Sequence, residues 1–154
     1  MSAEARIVEL GLELPPAPKA IGVYKPAVQV DRMLYLSGHG PLQSDGTLIR
    51  GRVGDDMDAQ GGYAAARQTG LAMLATMKAH CGSLDRIARL VKTLGLVNAV
   101  PHFTEHPAVI NGFSELMRDV FGPDAGVAAR SAVGAGSLPS GIAVEIEAIF
   151  ELKD

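Results

Sequence analysis

The sequence predicts an α/β (α+β) protein built on one mixed β-sheet, with two helices packed on one face of it. Three observations predict this. Residues Ala143 to Leu152 alternate: Val144, Ile146, Ala148 and Phe150 fall on one side, Glu145, Glu147, Ile149 and Glu151 on the other, which is the period of a strand with one buried face. Two stretches, Ala59 to His80 and Pro107 to Phe121, repeat apolar residues at helical spacing. Strand-like runs flank both helices in the order ββ(β)–α–β–α–ββ, an order that crossover connections turn into a single layered sheet.

The elements follow in chain order. Ile7 to Leu14 reads as a brief helix stopped by Pro15, Pro16 and Pro18, since proline ends helices. Residues 1–19 are therefore expected to form an N-terminal arm, and residues 20–154 the domain proper. Ala27 to Val30 and Met33 to Ser37 are strands of a hairpin across Asp31-Arg32, although that pair lacks the favoured Asn-Gly chemistry. After the turn Ser44-Asp45-Gly46, Thr47 to Val53 reads as a short strand. Asp58 is a plausible N-cap for the helix beginning at Ala59, and Gly82 a suitable stop. Gly61, Gly62 and Gly70 each cost that helix roughly 1 kcal/mol relative to Ala, so the small-residue face is expected to pack closely on a neighbour. Ile87 to Val100 is a long strand closed by Pro101, and Pro107 opens the second helix, whose apolar face is Val109, Ile110, Phe113, Leu116, Met117 and Val120. Ala129 to Val133 and Ala143 to Leu152 complete the sheet. Two helices cover one face of such a sheet, and self-association is the natural cover for the other.

Composition narrows the function. The chain has 154 residues, 47% of them apolar, enough for one domain and one core without a disulfide or metal staple. Its net charge is −3 and no Lys/Arg run appears, which argues against a phosphate-neutralising nucleic-acid surface. Cys81, the single cysteine, fits a reducing compartment, and a small buried hydrophobe is its ordinary role. Met1 to Ala17 lacks the basic start and apolar run of a signal peptide, and no stretch has the length of a membrane span. A cytoplasmic location is expected. His80, His102 and His106 show no metal-ligand spacing, and neither a P-loop, a dinucleotide fingerprint nor a G-x-S-x-G elbow is present. No metal or cofactor is expected.

Three segments place polar groups where a core pattern calls for apolar ones. Tyr35 to Pro41 ends a strand with Ser37, Gly38, His39 and Gly40, and reads either as a plain turn or as exposed backbone donors. Arg130 stands among small residues with no carboxylate at i±4. It is equally an interface ion pair or a planar fork for a carboxylate. Glu145 lies on the less apolar face of the last strand. It is solvated unless that face is covered, in which case burial raises its pKa and suits it to acid/base work.

Together these segments are more specific than any one alone. "YLSGHGP", "VINGFSELMRDVFG", "ARSAVGAGSLP" and "VEIEAI", in this order, resemble the RidA (YjgF-like) family, also known as endoribonuclease L-PSP, over about Ala20 to Leu152. The "GHGP" and "RSAVG" variants are similar to its longer branch. The resemblance implies a chorismate-mutase-like fold, a homotrimer with ligand clefts between subunits, and hydrolysis of reactive enamines and 2-imino acids to 2-keto acids and ammonia. It implies that Arg130 grips the substrate carboxylate and that Glu145 handles the attacking water. Tyr24, Ser37, Gly38 and Asn111 match the family's binding positions. Two departures fall within the site: Ala132 stands where the family has cysteine, and His39 where it has glutamine, with His39 placed to hydrogen-bond, accept a proton or obstruct a substrate. Val23 and Lys25-Pro26 depart as well. The implied partners are a second and third copy of the chain and a small carboxylate-bearing imine or keto acid. A trimer that binds such a carboxylate without turnover is the first rival, and RNA cleavage the second. The acidic balance and few aromatics for base stacking count against the latter.

Overall fold

In the computed structural model, which describes residues 1–154, the strand with the clearest alternation lies at the centre of the sheet. The elements are α1 (Ala3–Glu9), β1 (Ala27–Val30), β2 (Met33–His39), α2 (Ala59–Cys81), β3 (Ile87–Asn98), α3 (His106–Phe121), β4 (Ala129–Ala135) and β5 (Val144–Leu152), with short 3-10 turns at Leu84–Arg86 and Pro139–Gly141. The sheet order is β1-β2-β5-β3-β4. β5 pairs antiparallel with both β2 and β3, while β3 and β4 run parallel across the α3 crossover. The fold is the mixed α+β layer the sequence predicts. No helix is long and apolar enough to cross a membrane.

Alternation decides what each face of the sheet does. Val144, Ile146, Ala148 and Phe150 of β5 are buried with Leu34 and Leu36 of β2 and Leu90 and Val97 of β3 against the helices. The opposite face carries Glu145, Glu147 and Ile149. Around them Val28, Val30, Tyr35 and Val133 remain 44–56% exposed, and no element of the chain covers them.

The two long helices meet backbone to backbone. Asp58 caps α2 by accepting from the Gly61 N–H at 2.8 Å, and Gly82, at φ +81°, ends it. Gly62 faces Val109, and Gly70 faces Leu116 and Phe113, both pairs on α3. From α3, Gly112 lies directly on the Tyr63–Arg67 backbone. The glycines that weaken α2 as an isolated helix thus set the distance to its neighbour.

Three local expectations are corrected. The first helix is Ala3–Glu9 rather than Ile7 to Leu14, because Ser2 caps it through the Ala5 N–H and Gly11, at φ +62°, turns the chain before the prolines. Ala3 and Ile7 of this helix join the core. Arg6 Nε also donates to the Asp119 carbonyl at 2.9 Å, and Glu4 accepts from the Leu84 N–H at 2.9 Å. Thr47 to Val53 forms only single bridges, Leu48 to Leu42, Arg50 to Ile142, and Val53 to Met57 and Ala99. Gly51 and Gly54 adopt positive φ there, so no ladder propagates. Third, β2 runs on through His39 instead of ending at Ser37, with an irregularity at its end. Leu36 pairs with Ala148 and His39 with Ile146, so Ser37 and Gly38 together oppose one residue, which is a β-bulge.

Candidate functional site

The bulge governs what the end of β2 presents. It turns His39 inward, where the residue is 4% exposed. Nδ1 lies 2.6 Å from the Ser37 carbonyl and Nε2 lies 2.8 Å from Thr76 Oγ1 on α2. A carbonyl only accepts, so Nδ1 carries the proton and the Thr76 hydroxyl donates to Nε2. Burial pushes the His39 pKa down, against the smaller opposite pull of the Ser37 carbonyl. The sequence reading placed the His39 side chain at the substrate. In the structure the imidazole is buried as a strut between β2 and α2, and the residue is still one of those that border the cleft.

That cleft, about 700 Å³ in volume, is bordered by Tyr24, Ser37, Gly38, Glu145 and Glu147, with Ile142 among its apolar walls. A Cβ at Gly38 would stand 2.5 Å from Glu145 Oε1, so any side chain there would push the carboxylate from its present position. Strand β5 holds Glu145 half-buried over that glycine. Burial raises the Glu145 pKa above the ordinary carboxylate value, and the neighbouring Glu147 charge adds to the rise. The Ser37 hydroxyl donates to the Lys25 carbonyl, so toward the cleft it offers lone pairs only. The Tyr24 hydroxyl accepts from the Ile21 N–H at 3.3 Å and ties down the segment that enters β1.

Arg130 lies elsewhere in the protomer. It sits on the edge strand β4, in register with Thr93 of β3, on the side of the sheet that faces α3. Its Nη1 donates to Asn111 Oδ1 at 2.8 Å and to Ser114 Oγ at 3.1 Å. No protein acceptor engages Nε or Nη2, so one edge of the guanidinium remains available to a planar anion. Arg130 borders a cavity of about 370 Å³ with Thr93, Asn111, Ser114, Glu115 and Arg118. Ala132, two residues along β4, packs half-buried against the core and borders neither cavity.

Of the residues singled out from sequence, the structure gathers Tyr24, Ser37, Gly38, His39 and Glu145 around one cleft and Arg130 with Asn111 around another. The two cavities share no lining residue. Sequence reasoning missed Thr93 and Ser114. The signal for Ser114 is present: Asn111, Ser114, Glu115 and Arg118 recur at i, i+3, i+4 and i+7, one polar stripe on an otherwise apolar helix. No group of three or more His, Cys, Asp or Glu side chains is placed to hold a metal ion.

Known proteins resemble this chain over nearly its whole length. A family model described as YjgF/chorismate_mutase-like, and bearing the name endoribonuclease, matches residues 4–144. Protein TCP17 of Trypanosoma cruzi is 39% identical, with 97% of this chain and 94% of that protein covered. The 2-iminobutanoate/2-iminopropanoate deaminase of Mus musculus is 33% identical, with coverage of 86% and 84%. The crystal structure of the protein Atu1372 from Agrobacterium tumefaciens superimposes with a TM-score of 0.89 at 40% identity, covering 98% of this chain and 92% of that one. Matched by that family model over residues 4–144 and 39% identical to a relative along 97% of its length, the chain belongs to the YjgF/chorismate mutase-like, RidA-type family.

Proposed function

We propose that the protein hydrolyses 2-imino acids, and the enamines in equilibrium with them, to 2-keto acids and ammonia, in sites completed between the subunits of a homotrimer. The observation that carries this reading is the open edge of Arg130: a guanidinium clamped at one nitrogen by Asn111 and Ser114 and free at the other two. That is the geometry for bidentate capture of a carboxylate. The name of the mouse relative, a 2-iminobutanoate/2-iminopropanoate deaminase, supports the same class of substrate.

Glu145 supplies the second requirement, a group that can take and return a proton. In the reaction as we read it, its carboxylate accepts a proton from water as the water oxygen bonds to the imine carbon. The same proton then passes to the nitrogen, giving a carbinolamine; the proton of its new hydroxyl is next carried by Glu145 to the amine nitrogen as the carbonyl forms and the carbon–nitrogen bond breaks, so ammonia leaves a 2-keto acid. Water is the only co-reactant. Arg130 and Glu145 occupy separate cavities of one protomer, so a neighbouring copy is needed to bring a grip and a base to one substrate. The uncovered apolar face of the sheet, with Val28, Val30, Tyr35 and Val133, provides the surface for that association, and three copies close it symmetrically.

The test generates 2-iminopropanoate with an amino-acid oxidase and traps the remainder with semicarbazide. Wild type is expected to lower the trapped fraction, and Glu145→Gln to lose roughly 10²–10⁴-fold of that rate, the usual worth of a general acid/base, while still binding 2-oxobutanoate. No turnover by wild type would leave a carboxylate-binding trimer and remove the deaminase reading.

The pH dependence carries its own sign. A base must be ionised, and the Glu145 pKa is raised. The rate is therefore expected to rise with pH along a limb that lies above the ordinary carboxylate range. Glu147→Gln removes one of the two causes of that rise, and kcat/KM measured against pH should show the limb displaced to lower pH. A limb left in place by Glu147→Gln would mean that another group titrates.

A further inference from the structure

Next to Arg130 stands a buried hydroxyl that the fold leaves without a partner. Thr93 is 1% exposed, and its Oγ1 makes no hydrogen bond. The other buried threonines are paired: Thr69 Oγ1 donates to the Ala65 carbonyl at 2.9 Å, and Thr76 Oγ1 meets His39 at 2.8 Å. Only one other buried side-chain atom is orphaned, Asn98 Oδ1, and the amide nitrogen of that residue does find the Ile142 carbonyl at 3.2 Å. Buried polar groups are normally satisfied, and an exception calls for an explanation.

The position of Thr93 supplies one. It borders the same cavity as Arg130. It is also the residue in register with Arg130 across the parallel β3–β4 pair, so the two side chains rise from one face of the sheet, roughly 5 Å apart at the backbone. Asn111 and Ser114 occupy Nη1 of Arg130 from the α3 side, which leaves the β3 side of the cavity to Thr93.

We propose that Thr93 is a substrate-binding residue: its Oγ–H donates to the carboxylate that the free edge of Arg130 holds. The inference rests on the reading of Arg130 as a carboxylate grip and deepens it. It defines the ligand as a flat 2-keto or 2-imino acid whose carboxylate lies over the β3–β4 pair, with one oxygen shared between a guanidinium and a hydroxyl. No bond is made or broken at Thr93. The hydroxyl is left unmatched in the free protein and matched in the complex, so selection for binding here opposes selection for stability.

That opposition is the test. Valine has the shape of threonine without the hydroxyl. Thr93→Val should weaken binding of 2-oxobutanoate roughly tenfold, the worth of one hydrogen bond to a charged group, measured by titration calorimetry on the full chain. Its Tm should be unchanged or raised, since an unpaired polar atom has been removed. Thr93→Ser, which keeps the hydroxyl, should bind within about threefold of wild type on the same scale. A purely structural threonine would behave otherwise, with Thr93→Val leaving affinity unchanged. If wild type binds 2-oxobutanoate, Arg130→Ala does not, and Thr93→Val binds as wild type does, the role of Thr93 is overturned and the grip by Arg130 stands. If wild type does not bind 2-oxobutanoate, both fall together.

Discussion

Arg130→Ala should leave a folded protein whose kcat/KM on 2-iminopropanoate has fallen by roughly 10²–10³-fold, because truncating one partner of a buried, hydrogen-bonded charge pair costs about 2–5 kcal/mol. The loss should appear in binding as well as turnover, since the carboxylate is held in ground state and transition state alike. Arg130→Lys should recover little of it. An ammonium is a point charge and cannot present two parallel N–H groups while also donating to Asn111 and Ser114. Thermal unfolding should move only slightly, since what the protein itself loses is two hydrogen bonds at a partly buried edge strand. Full activity in Arg130→Ala would sink the proposed grip.

Gly112→Ala is expected to have the largest effect on stability. A Cβ at this position would overlap the Tyr63 carbonyl oxygen and stand 3.0 Å from the Arg67 nitrogen. Both are backbone atoms of α2, which cannot step aside as a side chain can. The helices must separate, and the cost should reach or exceed about 3 kcal/mol, the upper end for overpacking. Gly70→Ala makes the comparison sharp. Its nearest obstacles are side-chain atoms, Leu116 Cδ2 at 2.7 Å and Phe113 Cδ2 at 3.3 Å. Part of its cost is offset by the roughly 1 kcal/mol by which Ala is the better helix former. Urea unfolding of the two variants should rank them in that order. Because Asn111 adjoins Gly112, the displaced helix should also take Asn111 off Arg130, so Gly112→Ala is expected to lose activity even where it remains folded.

Much of this arrangement is legible in the residue order because its causes are local. The alternation of β5, the apolar face of α3 and the small residues of α2 each follow from spacing within one element. The motif order around Ser37, Arg130 and Glu145 is similarly a property of short segments. What escapes is set by distant partners. The side on which His39 falls depends on a bulge against β5, whose paired residue Ile146 lies far along the chain. A strict two-residue period predicts the wrong face. The backbone of Thr47 to Val53 meets partners as scattered as Leu42, Ala99 and Ile142, which no local pattern records. Thr93 looks like any strand threonine until its neighbour in the sheet is known to be Arg130. The separation of Arg130 from Glu145 within one protomer is likewise invisible to a motif, which records order along the chain and not the face of the sheet.

The sheet order β1-β2-β5-β3-β4 also constrains how the chain acquires its shape during translation. β5 is synthesised after all four other strands, yet it is the one that lies between β2 and β3. Until it emerges, the β1–β2 hairpin and the β3–β4 pair have no shared ladder, and whatever each half pairs on its own keeps a bare edge toward the gap. The helix pair α2–α3, made of contacts closer in sequence, can dock earlier and hold the halves in rough alignment. Long-range strand pairing of this kind is slow and leaves unpaired edges exposed meanwhile. The nascent chain is thus most vulnerable to mispairing with its neighbours on a polysome just before the segment carrying Glu145 arrives, and the strand that brings the proposed base also closes the sheet.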